Sequence, residues 1–280
     1  MPEAFAKVNR ELRVGERRPD GFHEIRSRFA TIDLSDTIEI EEAEAFELVC
    51  TGIPVPAGDG NLVARAARSL AGHLGIPPRA RIRLEKRIPA GAGLGGGSSD
   101  AAVTLLALSK LWRASLGREE LSAIAASLGS DVPFFLFGGE ADVEGRGERI
   151  LPRPDGPKSE LALLIPPFPI ATAAVYSAYS RHTGGIRRLA GRLDIETSPA
   201  FLGPNDLASA VLETCPDMKG YLVSAAAAAL EAGITGSGSA LVLRGLTAEG
   251  ERDLARRHPE ARILRAATLG RGDYERRTSL

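Results

Sequence analysis

The residues with the most chemical content form the string Pro89-Ala90-Gly91-Ala92-Gly93-Leu94-Gly95-Gly96-Gly97-Ser98-Ser99, in which five of the seven positions from Gly91 to Gly97 are glycine. Without side chains, successive backbone N–H groups can turn toward one point and cradle an anion. A helix is predicted to begin at Ser98 or Ser99 and run to about Trp112. Its N-terminus adds unpaired N–H groups and the positive end of a dipole. Phosphate is the anion this arrangement suits. A flexible linker of the same composition would not run straight into an Ala-rich helix. Other phosphate loops fit less well. No lysine follows the glycines, which excludes GxxxxGK[ST]. Gly91-x-Gly93-x-x-Gly96 satisfies GxGxxG, but Lys86-Arg87-Ile88-Pro89 intervenes where a dinucleotide site needs the glycine directly after its strand. A protein-kinase loop needs a following strand and a VAIK lysine, and neither is present.

Three further blocks carry candidate groups. Lys7 and Asn9 lie two apart on a predicted strand and share a face. That face either aims a cation and an amide at one place or is the solvated side of an edge strand. Phe22 and His23 follow a Pro19-Asp20-Gly21 turn. An aromatic ring beside an imidazole suits a heterocyclic base, one stacking and the other hydrogen bonding, although such a pair also anchors loops. Asp131 precedes Val132-Pro133, where it can cap a helix with proline in its first turn, and such a cap would fix its carboxylate in place. In Ile234-Thr235-Gly236-Ser237-Gly238-Ser239-Ala240 the glycines again permit close backbone approach, to phosphates or to the first glycine loop.

The elements that must position these groups alternate along the chain. Strands are predicted over residues 4–14, 28–40, 46–50 and 79–84, and helices over 61–74, with Asn61 as cap, and 119–128, closed by Gly129. Residues 151–160 carry three prolines and little apolar content. They divide the chain into an N-terminal nucleotide-binding domain, 1–150, and a C-terminal substrate-side domain, 151–280. Beyond them come a strand at 161–165, helices at 205–213 and 218–232, and a strand–helix–strand run at 240–244, 248–258 and 262–267, an α+β rhythm. Arg10 and Glu11 predict a charged, half-exposed first strand, Asp33 and Asp36 read as turn residues, and the polar end LGRGDYERRTSL reads as frayed.

Composition removes whole function classes. The 280 residues are 44% hydrophobic and 25% charged, which suits a globular chain. Thirty-five Lys and Arg nearly balance 36 Asp and Glu, so no basic field points to nucleic acid. Cys50 and Cys215 form no CxxC or Cys/His cluster, which argues against a disulfide scaffold or a structural zinc site. The charged start lacks a signal-peptide core, and no apolar run approaches the roughly 18 residues of a membrane span. A cytoplasmic chain with no nucleic-acid or membrane partner is expected, as monomer or homodimer.

In order and spacing, these blocks carry a resemblance. KRIPAGAGLGGGSSDAA resembles the phosphate loop of the galactokinase, homoserine, mevalonate and phosphomevalonate (GHMP) kinase superfamily. The triple glycine with SSDAA, the opening Ala6-Lys7-Val8-Asn9 and the string RRPDGFHE are similar to one branch, the kinases of 4-diphosphocytidyl-2-C-methyl-D-erythritol, and Gly129-Ser130-Asp131-Val132-Pro133-Phe134-Phe135 to another of its motifs. The resemblance implies a two-domain α+β fold. It implies ATP-dependent phosphorylation of the 2-hydroxyl of that substrate, in isoprenoid precursor synthesis. The alternative is a related kinase with a mevalonate- or homoserine-type acceptor. Lys7 and Asp131 would be catalytic, with Asp131 accepting the hydroxyl proton. Residues 89–99 would hold the phosphates, Ser98 or Ser99 would ligate Mg²⁺, and Asn61 and Lys86 would lie near the adenosine. Asn9, Phe22, His23, Thr172 and Tyr176 would bind the acceptor, with cytosine between Phe22 and Tyr176 and its edge on His23.

Overall fold

The first two strand runs form one long antiparallel hairpin, β1 (Glu3–Arg17) and β2 (His23–Glu41), in the computed structural model, which describes residues 1–184 and 200–278. The turn between them closes through Arg18 N–H to Phe22 O at 2.7 Å and Gly21 N–H to Arg18 O at 3.0 Å. Strand β2 also pairs with β4 (Arg81–Lys86) and β5 (Glu140–Gly145). With β3 (Glu47–Gly52) and β6 (Arg149–Pro152), these make a six-stranded sheet ordered β3-β4-β2-β5-β6, with β1 also on β2. A second sheet, β7 (Glu160–Ile165), β8 (Glu231–Ile234), β9 (Leu241–Arg244) and β10 (Arg262–Ala267), is antiparallel and ordered β10-β7-β9-β8. Helices α4 (Thr172–Thr183), α5 (Ala208–Thr214) and α6 (Met218–Ala228) fall between β7 and β8, and α7 (Ala248–Arg257) between β9 and β10. This is the split βαβ arrangement.

The main apolar cores follow from these layers. Val63 and Leu70 of α1 (Leu62–Leu74) and Leu105 of α2 (Gly96–Leu111) meet Ile82, Leu84 and Phe134 on one face of the first sheet, beside α3 (Arg118–Leu128). Ala6, Val8, Ala30 and Ile32 of the hairpin meet Leu161, Leu163 and Val242 of the second sheet. Leu12, Val14 and Ile25 join α4 and α5. The hairpin is therefore shared by both sheets, and its near-continuous burial reflects apolar cover on two faces. Between them, the chain leaves the first sheet at Pro152 and enters the second at Glu160. No helix among the described residues is long and apolar enough to cross a membrane.

Several expectations are corrected. Strand β1 is not half-exposed at Arg10 and Glu11. Arg10 Nη1 donates to Glu140 Oε1 at 2.7 Å and its guanidinium covers the Phe201 ring, while Glu11 is buried and accepts from Arg13 Nε at 2.9 Å. The helix expected to reach Ala232 ends at Ala228, because Glu231 turns into the second sheet, where it binds Arg244 at 2.6 Å. Gly129 closes α3 with φ 176°, which is extended backbone and not a left-handed cap. Asp33 and Asp36 lie within β2; Asp33 accepts from Ala267 N–H at 2.7 Å. The frayed end is instead helix α8 (Arg271–Thr278). Its buried Tyr274 packs on Phe5 with ring centroids 5.8 Å apart, and its hydroxyl donates to Phe135 O. One aromatic in a charged octet gives no periodic apolar stripe, so the sequence hides this anchor.

Candidate active site

Strand β1 brings its cation to the site through an irregularity. Its pairing with β2 slips between Phe5 and Lys7 and again between Asn9 and Glu11. Such bulges re-aim side chains and terminate regular pairing. Lys7 is only 4% exposed; its ammonium donates to Asn9 Oδ1 at 2.7 Å and lies 4.5 Å from the centre of the Phe29 ring. The Asp131 carboxylate stands 3.4 Å from it. Asp131 immediately precedes a short 3-10 helix, Val132–Leu136, but its side chain makes no capping hydrogen bond. The cap reading therefore fails. The carboxylate is 30% exposed and held by the ammonium.

The glycine loop wraps the other side of this pair. Lys7 N–H donates to Leu94 O at 2.9 Å, so the loop continues the edge of β1. Gly91, Gly93 and Gly95 have positive φ, a left-handed backbone that glycine adopts without a Cβ clash. A Cβ on Gly93 would lie 2.9 Å from both Thr235 O and Gly238 O. The third glycine block is thus the wall behind the loop, and Ala240 N–H donating to Ala92 O at 3.1 Å fixes it there. Helix α2 starts at Gly96, two residues earlier than expected, and its N-cap Gly95 makes no side-chain cap. Its first N–H groups are left for an anion. Ser98 lines the groove, whereas Ser99 is fully buried with an unpaired hydroxyl and drops out as a groove ligand.

Two cavities meet at this loop. The smaller, about 330 Å³, is lined by residues 89–98 with Asn61, Lys86 and Asp100. The larger, about 840 Å³, contains Lys7, Asn9, Asp131, Phe22, His23, Thr172 and Tyr176. Gly93 and Gly95 border both. Phe22 is 47% exposed at the hairpin tip. His23 is buried, its ring 5.3 Å from Tyr176, with Nε2 in a 2.8 Å hydrogen bond with Ser180 Oγ. Burial, with help from Arg17, holds its pKa below the usual imidazole value, so the ring is neutral at physiological pH. Burial, and then the Asp131 charge, raises the Tyr176 pKa and keeps the phenol protonated. Thr172 Oγ1 and Ser237 Oγ pair at 2.9 Å across the cavity wall.

Residues 61–139 match the family model described as the GHMP kinases N terminal domain. A 4-diphosphocytidyl-2-C-methyl-D-erythritol kinase from Solibacter usitatus (strain Ellin6076) is 43% identical over 256 residues, 85% of this chain and 78% of its own. One from Thiobacillus denitrificans (strain ATCC 25259 / T1) is 38% identical over 264 residues, covering 93% and 92%. The chain belongs to the 4-diphosphocytidyl-2-C-methyl-D-erythritol kinase family. A crystal structure from that family superposes with a TM-score of 0.78 at 34% identity, over 96% of this chain and 98% of the other. A mevalonate kinase superposes at 0.66 with 15% identity over 96% and 99%, which is a likeness of fold.

One constellation of this family member escaped the sequence reading. Lys86, expected near adenosine, is buried at the end of β4, and its ammonium binds both Asp36 and Asp100, the latter at 2.6 Å. Asp36 also accepts from Arg87 N–H at 2.5 Å and Ile88 N–H at 2.9 Å, so the cluster ties β2, the loop entrance and the first turns of α2 together. A signal did exist, since a lysine in a half-buried strand needs carboxylate partners. Two carboxylates share one ammonium, and Asp100 Oδ1 has no partner. Burial, then the Asp36 charge, pushes the Asp100 pKa up to about 8 against the pull of Lys86. The folded state therefore holds a proton that the unfolded chain releases near pH 3.8. Stability from this site is greatest in acid, falls as pH rises from about 4 to 8, and levels off above. Against an Asp100→Asn variant, urea melts should show the wild type losing up to about 1 kcal/mol per pH unit across that window. A pH-independent difference would contradict the protonated assignment.

Proposed function

We propose that the chain transfers the γ-phosphoryl group of ATP to the 2-hydroxyl of 4-diphosphocytidyl-2-C-methyl-D-erythritol, with Lys7 and Asp131 at the point of transfer. The supporting observation is the place of that ion pair, 3.4 Å across, where a glycine cradle divides a smaller cavity from a larger one edged by rings. ATP takes the smaller cavity, with its phosphates on the backbone of 91–97 and the N-terminus of α2. Asn61 borders the nucleoside end as the cap of α1; Lys86 acts from beneath, through its carboxylates, to hold the loop.

The acceptor takes the larger cavity, its pyrimidine between Phe22 and Tyr176. His23, with Nε2 engaged by Ser180, offers Nδ1 to the base edge. The 2-hydroxyl is a hindered tertiary alcohol, so alignment dominates, and ideal orientation supplies roughly 7–11 kcal/mol. Asp131 accepts the hydroxyl proton as the alcohol oxygen bonds to the γ-phosphorus and the bond to the bridging oxygen of ADP breaks. Lys7, fixed by Asn9, balances negative charge on the group in flight. Among the described residues no cluster of three or more His, Cys, Asp or Glu could hold a metal. Mg²⁺ would fit as an ion carried mainly by the phosphates and water, with the Ser98 hydroxyl as protein donor, and it would neutralise phosphate charge.

The test uses acceptors and a competitor. The cytidylyl alcohol should be phosphorylated far faster than mevalonate or homoserine, and CDP should compete with the acceptor and not with ATP. Equal rates on simple alcohols, with CDP inert, would refute the reading.

A further inference from the structure

We propose that Arg146 is a positioning residue for the acceptor, the outer tier of a clamp that holds Phe22 ready to stack on the nucleoside. The proposal rests on the larger cavity being the cytidine side. Arg146 sits in the turn between β5 and β6, and its guanidinium carbon lies 5.0 Å from the centre of the Phe22 ring. Its Nη2 donates to Ala126 O at 2.7 Å and its backbone N–H to Glu148 Oε2 at 2.7 Å, so the group is fixed at both ends. Both Arg146 and Phe22 line the larger cavity with Tyr176.

The physical need is clear at the hairpin tip. Phe22 is 47% exposed and has no aromatic partner among the described residues. A ring so placed would lose rotamer freedom on stacking against a ligand, and that loss weakens binding. A planar cation over one face fixes the ring in advance and leaves the other face for the base. The same turn reaches the catalytic segment, since a Cβ on Gly147 would meet Ser130 Cβ at 3.2 Å, one residue before Asp131. The stacking platform and the carboxylate therefore share one support. The Arg146 charge is also felt at the hairpin tip, where it is among the charges that lower the pKa of Asp20, two residues before Phe22.

The experiment compares Arg146→Ala and Arg146→Lys with wild type, reading CDP and ADP affinity by titration calorimetry and the kcat and KM of the acceptor. Arg146→Ala should weaken CDP binding and raise acceptor KM roughly 5- to 20-fold, while kcat and ADP affinity stay within about twofold. Arg146→Lys, which keeps charge but not the planar face, should recover less than half of that loss. CDP binding by Arg146→Ala as tight as wild type, or full rescue by lysine, would overturn the clamp; so would a parallel loss of ADP affinity, which marks a general structural defect. Wild-type protein that fails to bind CDP would remove the cytidine reading itself, and the clamp with it.

Discussion

Replacing Asp131 by asparagine should lower turnover at least ~10²-fold while ATP affinity changes by no more than about threefold. The side chain makes no cap, so the variant loses no helix-terminal hydrogen bond. What it loses is the carboxylate proposed to accept the proton, the partner of the Lys7 ammonium at 3.4 Å. Lys7 should give a similar fall, and Lys7→Met tests it more cleanly than alanine. Lys7 is buried against Phe29 and its Cγ borders Gly95, so alanine would leave a cavity as well as remove the charge. Methionine keeps most of the volume. The double variant should be little worse than either single one, because the two groups act as a unit. Single-turnover transfer from labelled ATP measures all three; turnover near wild type in Asp131→Asn would remove the carboxylate from the chemistry.

Gly93→Ala should damage both stability and nucleotide binding. The position has φ +79°, and its Cβ would fall 2.9 Å from two carbonyl oxygens, those of Thr235 and Gly238. Left-handed backbone costs a non-glycine residue about 1–2 kcal/mol, and forcing two segments apart adds roughly 1–3. Neither obstacle is a flexible side chain that could swing away. The loop would move off the third glycine block and open the boundary between the two cavities. Chemical denaturation should show a loss of about 2–5 kcal/mol, with ATP affinity at least tenfold weaker. Gly97→Ala is the control for stability alone, since its Cβ would meet nothing nearer than Leu62 Cδ1 at 3.6 Å.

Lys7 and Asp131 were legible as candidates because their motifs stand in order, although nothing in their spacing says that they meet. The pairing of β1 with β2 slips on both sides of Lys7 and Asn9, which no alternation pattern reveals. The glycine loop announced an anion site, yet the start of α2 was placed two residues late because Gly96 and Gly97 read as loop, when Gly95 in left-handed backbone begins the helix unaided. Asp36 read as a turn residue in the string IDLSD, and only the tertiary partner Lys86 explains a buried acid in mid-strand. Tyr274 was hidden for a related reason: its anchor points, Phe5 and Phe135, lie far away in sequence. Local chemistry was readable where a motif concentrates it; long-range ion pairs and single-residue anchors were not.

A crystal structure with a non-hydrolysable ATP analogue and the cytidylyl alcohol would show the geometry of transfer itself. The γ-phosphate should lie at the N-terminus of α2, the acceptor oxygen within about 3–3.5 Å of both that phosphate and an Asp131 oxygen, and the pyrimidine between Phe22 and Tyr176. An acceptor hydroxyl directed away from Asp131, or a base bound outside those two rings, would contradict the proposed transfer.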